Sequence, residues 1–261
     1  MGRLRFHLAS LAVPVLAGLA WMSLAEAPAL WLAVNAGALA LAIAAALWLP
    51  LPRHNGGQLA LALVSTALLT MTVLAGIEAD GVRRWLQLGP LRLHIGYLVL
   101  PLLVTLADRL PAKPASALLL GAVLACALQP DRATSFGLAA ATAMITLNRP
   151  VLPFVGALVA AFVGAAVALG QVDPLQPVRF VETVQIDTWH AQPLIGIALM
   201  LATFAPLLLL RDGQRTARPL AAFLIVAGLM AFVGAYPSIL IGYGAAPILG
   251  FGLAISALRT Q

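Results

Sequence analysis

The chain has 261 residues, of which 62% are hydrophobic and only 9% are charged, and its mean hydropathy is +1.01. No soluble domain could bury that much apolar surface, so the composition excludes a soluble protein and predicts an all-α polytopic membrane protein. The net charge of +6 is spread between the apolar runs, so nucleic acid is not predicted as a partner. The single cysteine, Cys126, excludes an intramolecular disulfide, and the histidines lack metal-binding spacing.

The N-terminus resembles a signal peptide but is predicted to stay attached as the first helix. Arg3 and Arg5 precede an apolar run from Leu8 to Leu24, and Ala25-Glu26-Ala27 is similar to a signal-peptidase site. That run is longer than the apolar core of a usual signal peptide, and a second apolar run follows at once. We therefore predict an uncleaved first span.

Hydrophobic runs, compared with the roughly 17–25 residues that one membrane span requires, predict about ten transmembrane helices in a single transmembrane domain. They lie near residues 8–24, 29–50, 58–77, 95–109, 114–129, 134–148, 151–170, 188–210, 217–235 and 241–258. An even number of spans places both termini on the same side of the membrane.

The distribution of charge predicts which side that is. With the N-terminus in the cytoplasm, ten Lys and Arg residues fall on the inner side and five on the outer side, as the positive-inside rule requires. Seven of the nine acidic residues fall on the outer side. We therefore predict cytoplasmic termini and expect any polar site to lie on the outer face.

The first polar outer stretch, Glu78 to Tyr97, interleaves arginines with bulky apolar residues. Each arginine at the centre of a span would cost roughly 2.5–3.5 kcal/mol, so this stretch is not predicted to cross the membrane. It is predicted to lie along the surface, with Trp85 and the leucines among the lipid headgroups. Arg83 and Arg84 would then face lipid phosphates or an anionic ligand, although a simple juxtamembrane anchor fits the pattern equally.

Two further outer stretches carry carboxylates. Asp131 follows a proline and can cap the next helix through its free N–H groups. The longest outer loop, from Gly170 to His190, holds Asp173, Glu182 and Asp187. Asp187 lies where the eighth span is predicted to begin, so it is either a helix-stabilised anion or a carboxylate whose pKa rises into the range of a general base.

Three motifs in this order resemble the SEDS family (shape, elongation, division and sporulation), to which proteins of the RodA and FtsW type belong. Residues 81–86 (GVRRWL), followed by residues 88–91 (LGPL), are similar to the family's G-A-R-R-W-L…L-G-P-F. Residues 129–134 (QPDRAT) are similar to its Q-P-D-x-G-T. Residues 237–244 (PSILIGYG) are similar to its P-L-P-F-I-S-Y-G-G.

The resemblance implies a SEDS-like helical bundle and a peptidoglycan glycosyltransferase that polymerises lipid II on the outer face of the cytoplasmic membrane. Such proteins usually act with a class B penicillin-binding protein. By position, Asp187 would be the general base for the attacking sugar hydroxyl. The implied substrate-binding residues are Arg83, Arg84, Asp131, Arg132, Glu182 and Tyr243. No cofactor is evident, no metal ligands are predicted, and a divalent cation remains compatible with the sequence.

Departures from the family pattern keep two alternatives open. Residues 94–97 (HIGY) stand where the family has Q-P-S-E, and the outer loop is shorter than in family members. The first alternative is a non-catalytic SEDS-like subunit that regulates cell division or shape through a partner or lipid. The second is a small transporter or flippase of a lipid-linked or anionic substrate. That class needs ionisable groups within the spans, and the predicted spans hold almost none.

Overall fold

The structure of the chain is a computed structural model that describes residues 2–89 and 91–259, with the side chains of residues 211–213 left out. Pro90 of the first motif lies outside the described residues, as do the side chains of Arg211 and Asp212, which were counted in the predicted topology. The described part of the chain is a helical bundle with one small sheet.

The helices, in chain order, are α1 (Gly2–Leu24), α2 (Ala29–Trp48), α3 (Asn55–Ala75), α4 (Ile95–Ala107), α5 (Ala112–Ala127), α6 (Arg132–Asn148), α7 (Leu152–Gly170), α8 (Val184–Ala191), α9 (Pro193–Gly213), α10 (Arg218–Leu229) and α11 (Ala245–Arg259). Two 3₁₀ turns, Arg215–Ala217 and Met230–Phe232, flank α10. Within the described residues, six helical stretches are long and apolar enough to cross a membrane: α1, α2, α3, α7, α9 and Arg215–Phe232. Helices α4, α5 and α11 are shorter and also apolar. The predicted fold class, a helical polytopic membrane protein, is confirmed.

A three-stranded antiparallel sheet, which the sequence did not predict, occupies the stretch between α3 and α4. Its strands are β1 (Ile77–Ala79), β2 (Val82–Leu88) and β3 (Leu91–His94), in the order β1-β2-β3. Asp80 and Gly81 both have positive φ, the conformation that a tight hairpin turn requires. An Asp-Gly pair between two short strand-forming segments is therefore the sequence signal that identifies this hairpin.

The predicted eighth span is divided in the structure. Helix α8 ends at Ala191, Gln192 is extended, and α9 begins at Pro193. Proline has no N–H and disfavours helical geometry in the residue before it, so the helix cannot continue through this point. Asp187 consequently belongs to the short helix α8 and not to the start of the long helix, which corrects the predicted boundary.

The bundle packs closely because small residues face one another between helices, as is common in membrane proteins. Helix α11 lies against α2, and a Cβ added at Gly252 would come within 2.7 Å of the Ala42 Cα. Helix α4 is buried along most of its length at the centre. The sheet, the α5–α6 turn, the α7–α8 connection and the loop before α11 meet at one end of the bundle, where the segments predicted to be outer converge.

Candidate active site

A cavity of about 240 Å³ opens at this end of the bundle. It lies between β2 and β3, the start of α4, the α7–α8 connection and the loop that precedes α11. Its polar lining consists of Arg84, Arg92, His94, Tyr97, Glu182, Ser238 and Tyr243. Pockets for drug-sized ligands measure about 300–1,000 Å³, so this cavity fits part of a ligand, such as a pyrophosphate or one sugar ring.

The two adjacent arginines of the first motif have separate environments. Successive strand residues point to opposite faces of a sheet, so Arg83 and Arg84 cannot face one ligand together. Arg83 is 45% exposed and pairs with Glu78 at 2.7 Å on the outer surface. Arg84 is only 2% exposed and borders the cavity. Of the two arginines implied to bind substrate, Arg84 borders the cavity and Arg83 lies outside it.

Arg84 ties three segments of the chain together. Its Nη2 donates to the carboxylate of Asp173 and to the carbonyl of Pro130, and its guanidinium lies 5.7 Å from the ring centre of Tyr236. Burial lowers the pKa of Arg84, but the charges of Asp131 and Asp173 more than offset this, so its pKa lies above the ordinary value. Arg84 therefore stays charged and holds the strand against the α5–α6 turn and the α7–α8 connection.

Asp131 lies behind the cavity wall and has two roles. Its Oδ1 accepts a hydrogen bond of 3.1 Å from the backbone N–H of Thr134, so it caps α6 as the sequence indicated. Its Oδ2 lies 3.2 Å from Nε2 of His94, which lines the cavity. Burial raises the pKa of Asp131, but the charge of Arg84 and the neighbouring His94 hold that pKa well below its usual value.

Glu182 is the carboxylate that lines the cavity. Its Oε2 accepts a 2.7 Å hydrogen bond from the backbone N–H of Val178, and its own carbonyl accepts a 3.0 Å bond from the hydroxyl of Ser238. Burial raises the pKa of Glu182 to about 7, against the lowering effect of the backbone hydrogen bonds and of the Arg84 charge. A carboxylate with a pKa near neutrality is suited to act as a general base.

The loop before α11 forms the opposite wall and is fixed by helix α2. The ring of Tyr243 stacks on Trp31 with 4.4 Å between centres and 13° between planes. Asn35 donates to the Gly242 carbonyl at 2.9 Å and accepts from the Gly244 N–H at 3.0 Å. A Cβ at Gly242 would come within 2.6 Å of the Val181 carbonyl oxygen, so only glycine permits this approach to the segment that carries Glu182.

Asp187 lies outside the cavity. It borders a separate open groove with Trp21, Arg179 and His190. Its Oδ2 accepts a 2.5 Å hydrogen bond from the hydroxyl of Thr183, in the first turn of α8. The N-cap residue of α8 is Thr183, and this end of the helix has no side-chain cap hydrogen bond, so Asp187 is not the predicted helix cap.

Arg132 also lies away from the cavity lining. Its guanidinium donates to the carbonyls of Ala168, Leu169 and Gln171 at the end of α7. These carbonyls lie at or just beyond the C-terminus of α7, where a cation is favourable. Arg132 therefore joins α6 to the end of α7. Of the residues predicted to bind substrate, the cavity brings together Arg84, Glu182 and Tyr243.

Sequence reasoning did not select four polar residues of the cavity: Arg92, His94, Tyr97 and Ser238. Arg92 is exposed on β3, and among the described residues its guanidinium has no hydrogen bond or ion pair. Among the described residues, the hydroxyl of Tyr97 and both ring nitrogens of His94 are buried without a hydrogen-bond partner. Within residues 2–89 and 91–259, no cluster of three metal-ligating side chains is present.

No protein-family model and no curated protein sequence matches the chain. Several solved structures, however, are similar to the chain. The crystal structure of the rod shape determining protein RodA from Thermus thermophilus superposes with a TM-score of 0.65 at 22% identity, covering 99% of this chain and 96% of RodA. A mutant of the same protein, in which one aspartate is replaced by alanine, matches with a TM-score of 0.65 at 22% identity, covering 99% of this chain and 97% of the mutant.

A third match, with a TM-score of 0.60 and 22% identity, is a chain from a structure described as showing coordination of polymerization and crosslinking by a peptidoglycan synthase complex. It covers 99% of this chain and 97% of that chain. Nearly the whole length of each protein is included, so the likeness extends over the entire bundle. The chain therefore has the fold of the SEDS protein RodA, as its three ordered motifs predicted.

Proposed function

We propose that the chain is a SEDS-like glycosyltransferase of cell-wall assembly that extends a glycan from a lipid-linked precursor such as lipid II. The observation that carries this proposal is the position of Glu182, a carboxylate of raised pKa in a polar cavity of a RodA-like bundle. In the predicted topology the cavity opens on the outer face of the cytoplasmic membrane, and both termini are cytoplasmic. The complex among the similar structures supports a membrane partner such as a class B penicillin-binding protein.

The proposed reaction assigns different tasks to the two charged groups at the mouth of the cavity. Glu182 accepts the proton of the attacking sugar hydroxyl as the new bond to the donor's anomeric carbon forms. The bond from that carbon to the phosphate breaks, and its electron pair stays on the phosphate oxygen. Arg92 binds the phosphate, because guanidinium forks match phosphate geometry and the group has no competing partner among the described residues.

Glu182 thereby replaces Asp187 as the proposed base. Glu182 lies just before α8 and Asp187 lies in its first turn, and the two residues border different depressions of the surface. A general base must reach its proton within about 2.6–3.2 Å, and the position of Glu182 on the cavity proposed to hold the ligand supports its assignment as the base. Arg84, whose Nη2 is bound to Asp173 and to the Pro130 carbonyl, supports the cavity wall, and Tyr243 provides an aromatic surface for a sugar ring.

Polymerisation of lipid II by the purified protein, with candidate partner proteins added, tests the proposal. We expect glycan chains from the wild type and from Asp187→Asn, and a rate lower by roughly 10²–10⁴-fold from Glu182→Gln, as for loss of a general base. The two substitutions are matched, since each removes one charge from one carboxylate. Absence of product from folded wild-type protein under every condition would favour the non-catalytic subunit. Loss of product in Asp187→Asn alone would return the role of base to Asp187.

A further inference from the structure

A second cavity, of about 450 Å³, lies between the start of α1 and the end of α9 and is called the α1–α9 cavity. The other end of α1 lies near the candidate active site, since Met22 packs in one apolar cluster with Phe180 of the α7–α8 connection. At about 1.5 Å per residue, Arg3 is roughly 30 Å along the helix from Met22. The α1–α9 cavity is therefore at the opposite end of the bundle, which the predicted topology places at the cytoplasmic leaflet, and it has no part in the proposed reaction.

The α1–α9 cavity lies on the faces by which the two helices contact each other. The hydroxyl of Ser10 on α1 donates a hydrogen bond of 3.3 Å to the carbonyl of Pro206 on α9, so the helices meet at this level. Residues three or four positions apart share one face of a helix, so His7 and Arg3 continue the face of Ser10 towards the start of α1. Leu210 continues the face of Pro206 towards the end of α9 in the same way. These residues line the cavity, so the contact opens into a gap beyond Ser10.

The α1–α9 cavity combines apolar walls with an unpaired positive charge. Its described lining residues are Gly2, Arg3, Phe6, His7, Leu209, Leu210 and Gln214. None of these described residues is acidic. Arg3 is exposed, and its guanidinium makes no hydrogen bond or ion pair with the described residues. A free guanidinium beside apolar side chains complements an anionic lipid, because the phosphate binds the cation while an acyl chain covers the apolar surface.

We propose that the α1–α9 cavity binds an anionic phospholipid, with Arg3 on its phosphate and the first part of one acyl chain against Phe6 and the α9 leucines. The volume lies within the range of about 300–1,000 Å³ that is typical of ligand pockets. A soluble phosphate fits less well, since an exposed cation attracts it only weakly through water and the apolar walls would stay uncovered. The bound lipid joins the ends of α1 and α9, whether or not the protein is a glycosyltransferase.

The test of the charge is native mass spectrometry of the full-length protein in detergent, with phosphatidylglycerol and phosphatidylcholine of identical acyl chains. We expect phosphatidylglycerol to bind roughly fivefold or more tightly than phosphatidylcholine, and Arg3→Gln to remove this preference. Arg5→Gln is the matched control, because Arg5 is also exposed but lies about 200° round the helix from Arg3 and outside the cavity lining. It should change the preference by less than about twofold, since water and salt screen a charge that does not touch the ligand.

The apolar walls are tested by a second pair of variants. Phe6→Ala should weaken the binding of both lipids, because it removes apolar surface against which the acyl chain packs. Leu16→Ala should weaken neither, since Leu16 is an exposed leucine of the same helix outside the cavity lining. Glycerol 3-phosphate, which carries the phosphate without acyl chains, should not displace either lipid.

Several results would overturn the proposal. Equal affinity for the two lipids in the wild type would remove the role of the arginine, and an equal loss in Arg3→Gln and Arg5→Gln would show that general surface charge is sufficient. Unchanged lipid binding in Phe6→Ala would place the acyl chain elsewhere. Displacement of the lipid by glycerol 3-phosphate would identify a soluble anion as the ligand. None of these results bears on the proposed function, which is tested by polymerisation at the opposite end of the bundle.

Discussion

Replacing Arg84 with glutamine should destabilise the fold strongly, whereas the same change at the neighbouring Arg83 should be nearly neutral. Arg84 is 2% exposed, and its main ionic partner, Asp173, is 11% exposed. Removing the cation leaves the largely buried carboxylate of Asp173 without its ionic partner and takes a nearby positive charge from the buried Asp131. Breaking such a buried pair costs about 3–5 kcal/mol, compared with about 0–1 kcal/mol for an exposed pair such as Arg83–Glu78.

The assay is thermal unfolding of the two purified variants in the same detergent, compared with wild type. We expect a clear fall in melting temperature for Arg84→Gln and almost none for Arg83→Gln. Combining Arg84→Gln with Asp173→Asn should recover part of the loss, because the double variant removes one unpaired charge. Equal melting temperatures for the two single variants would refute the conclusion that Arg84 is buried and joins separate segments of the chain, whereas Arg83 is a surface residue.

Three further expectations follow from the cavity. The rate of polymerisation should increase with pH through about 7, because Glu182, whose pKa is raised to about 7, accepts a proton only when it is ionised. A flat pH–rate profile would contradict this role of Glu182. Arg92→Ala should raise KM for the lipid substrate by roughly tenfold or more, while Arg83→Ala leaves KM unchanged in the same kinetic assay. Asn35→Ala should destabilise the loop before α11 by about 1–3 kcal/mol, since the buried Gly242 carbonyl and the partly buried Gly244 N–H lose their partner. Faster proteolysis of that loop would show this, and unchanged proteolysis would count against it.

The sequence predicted the helical bundle because long apolar runs are a strong signal, and it predicted the RodA-like fold through three short motifs in order. It did not predict the sheet around Arg84. A strand with one buried face normally alternates apolar and polar residues. Here Arg84 occupies a buried, inward-facing position, and the adjacent Arg83 faces outward. The Asp-Gly turn at Asp80 was the available signal, but the surrounding apolar runs obscured it.

The choice between two nearby carboxylates was beyond the sequence for a different reason. Glu182 and Asp187 lie five positions apart in one polar loop, and linear spacing does not show which of them folds back into the bundle. That choice is made by tertiary hydrogen bonds, chiefly from Ser238 to the backbone of Glu182 and its neighbour Val181. His94 escaped notice similarly, because its partner Asp131 is distant in sequence and had a sufficient explanation as a helix cap.

Photo-crosslinking measures most directly whether lipid-linked substrate occupies the cavity. A benzophenone amino acid would replace Leu175, which lines the cavity, or Ile186, which borders a different depression beside Trp189. Incubation with labelled lipid II and irradiation should label the protein with the probe at position 175 and leave the position-186 protein nearly unlabelled. Excess unlabelled lipid II should abolish the signal. Equal labelling at both positions, or labelling at position 186 alone, would contradict the assignment of this cavity as the substrate site.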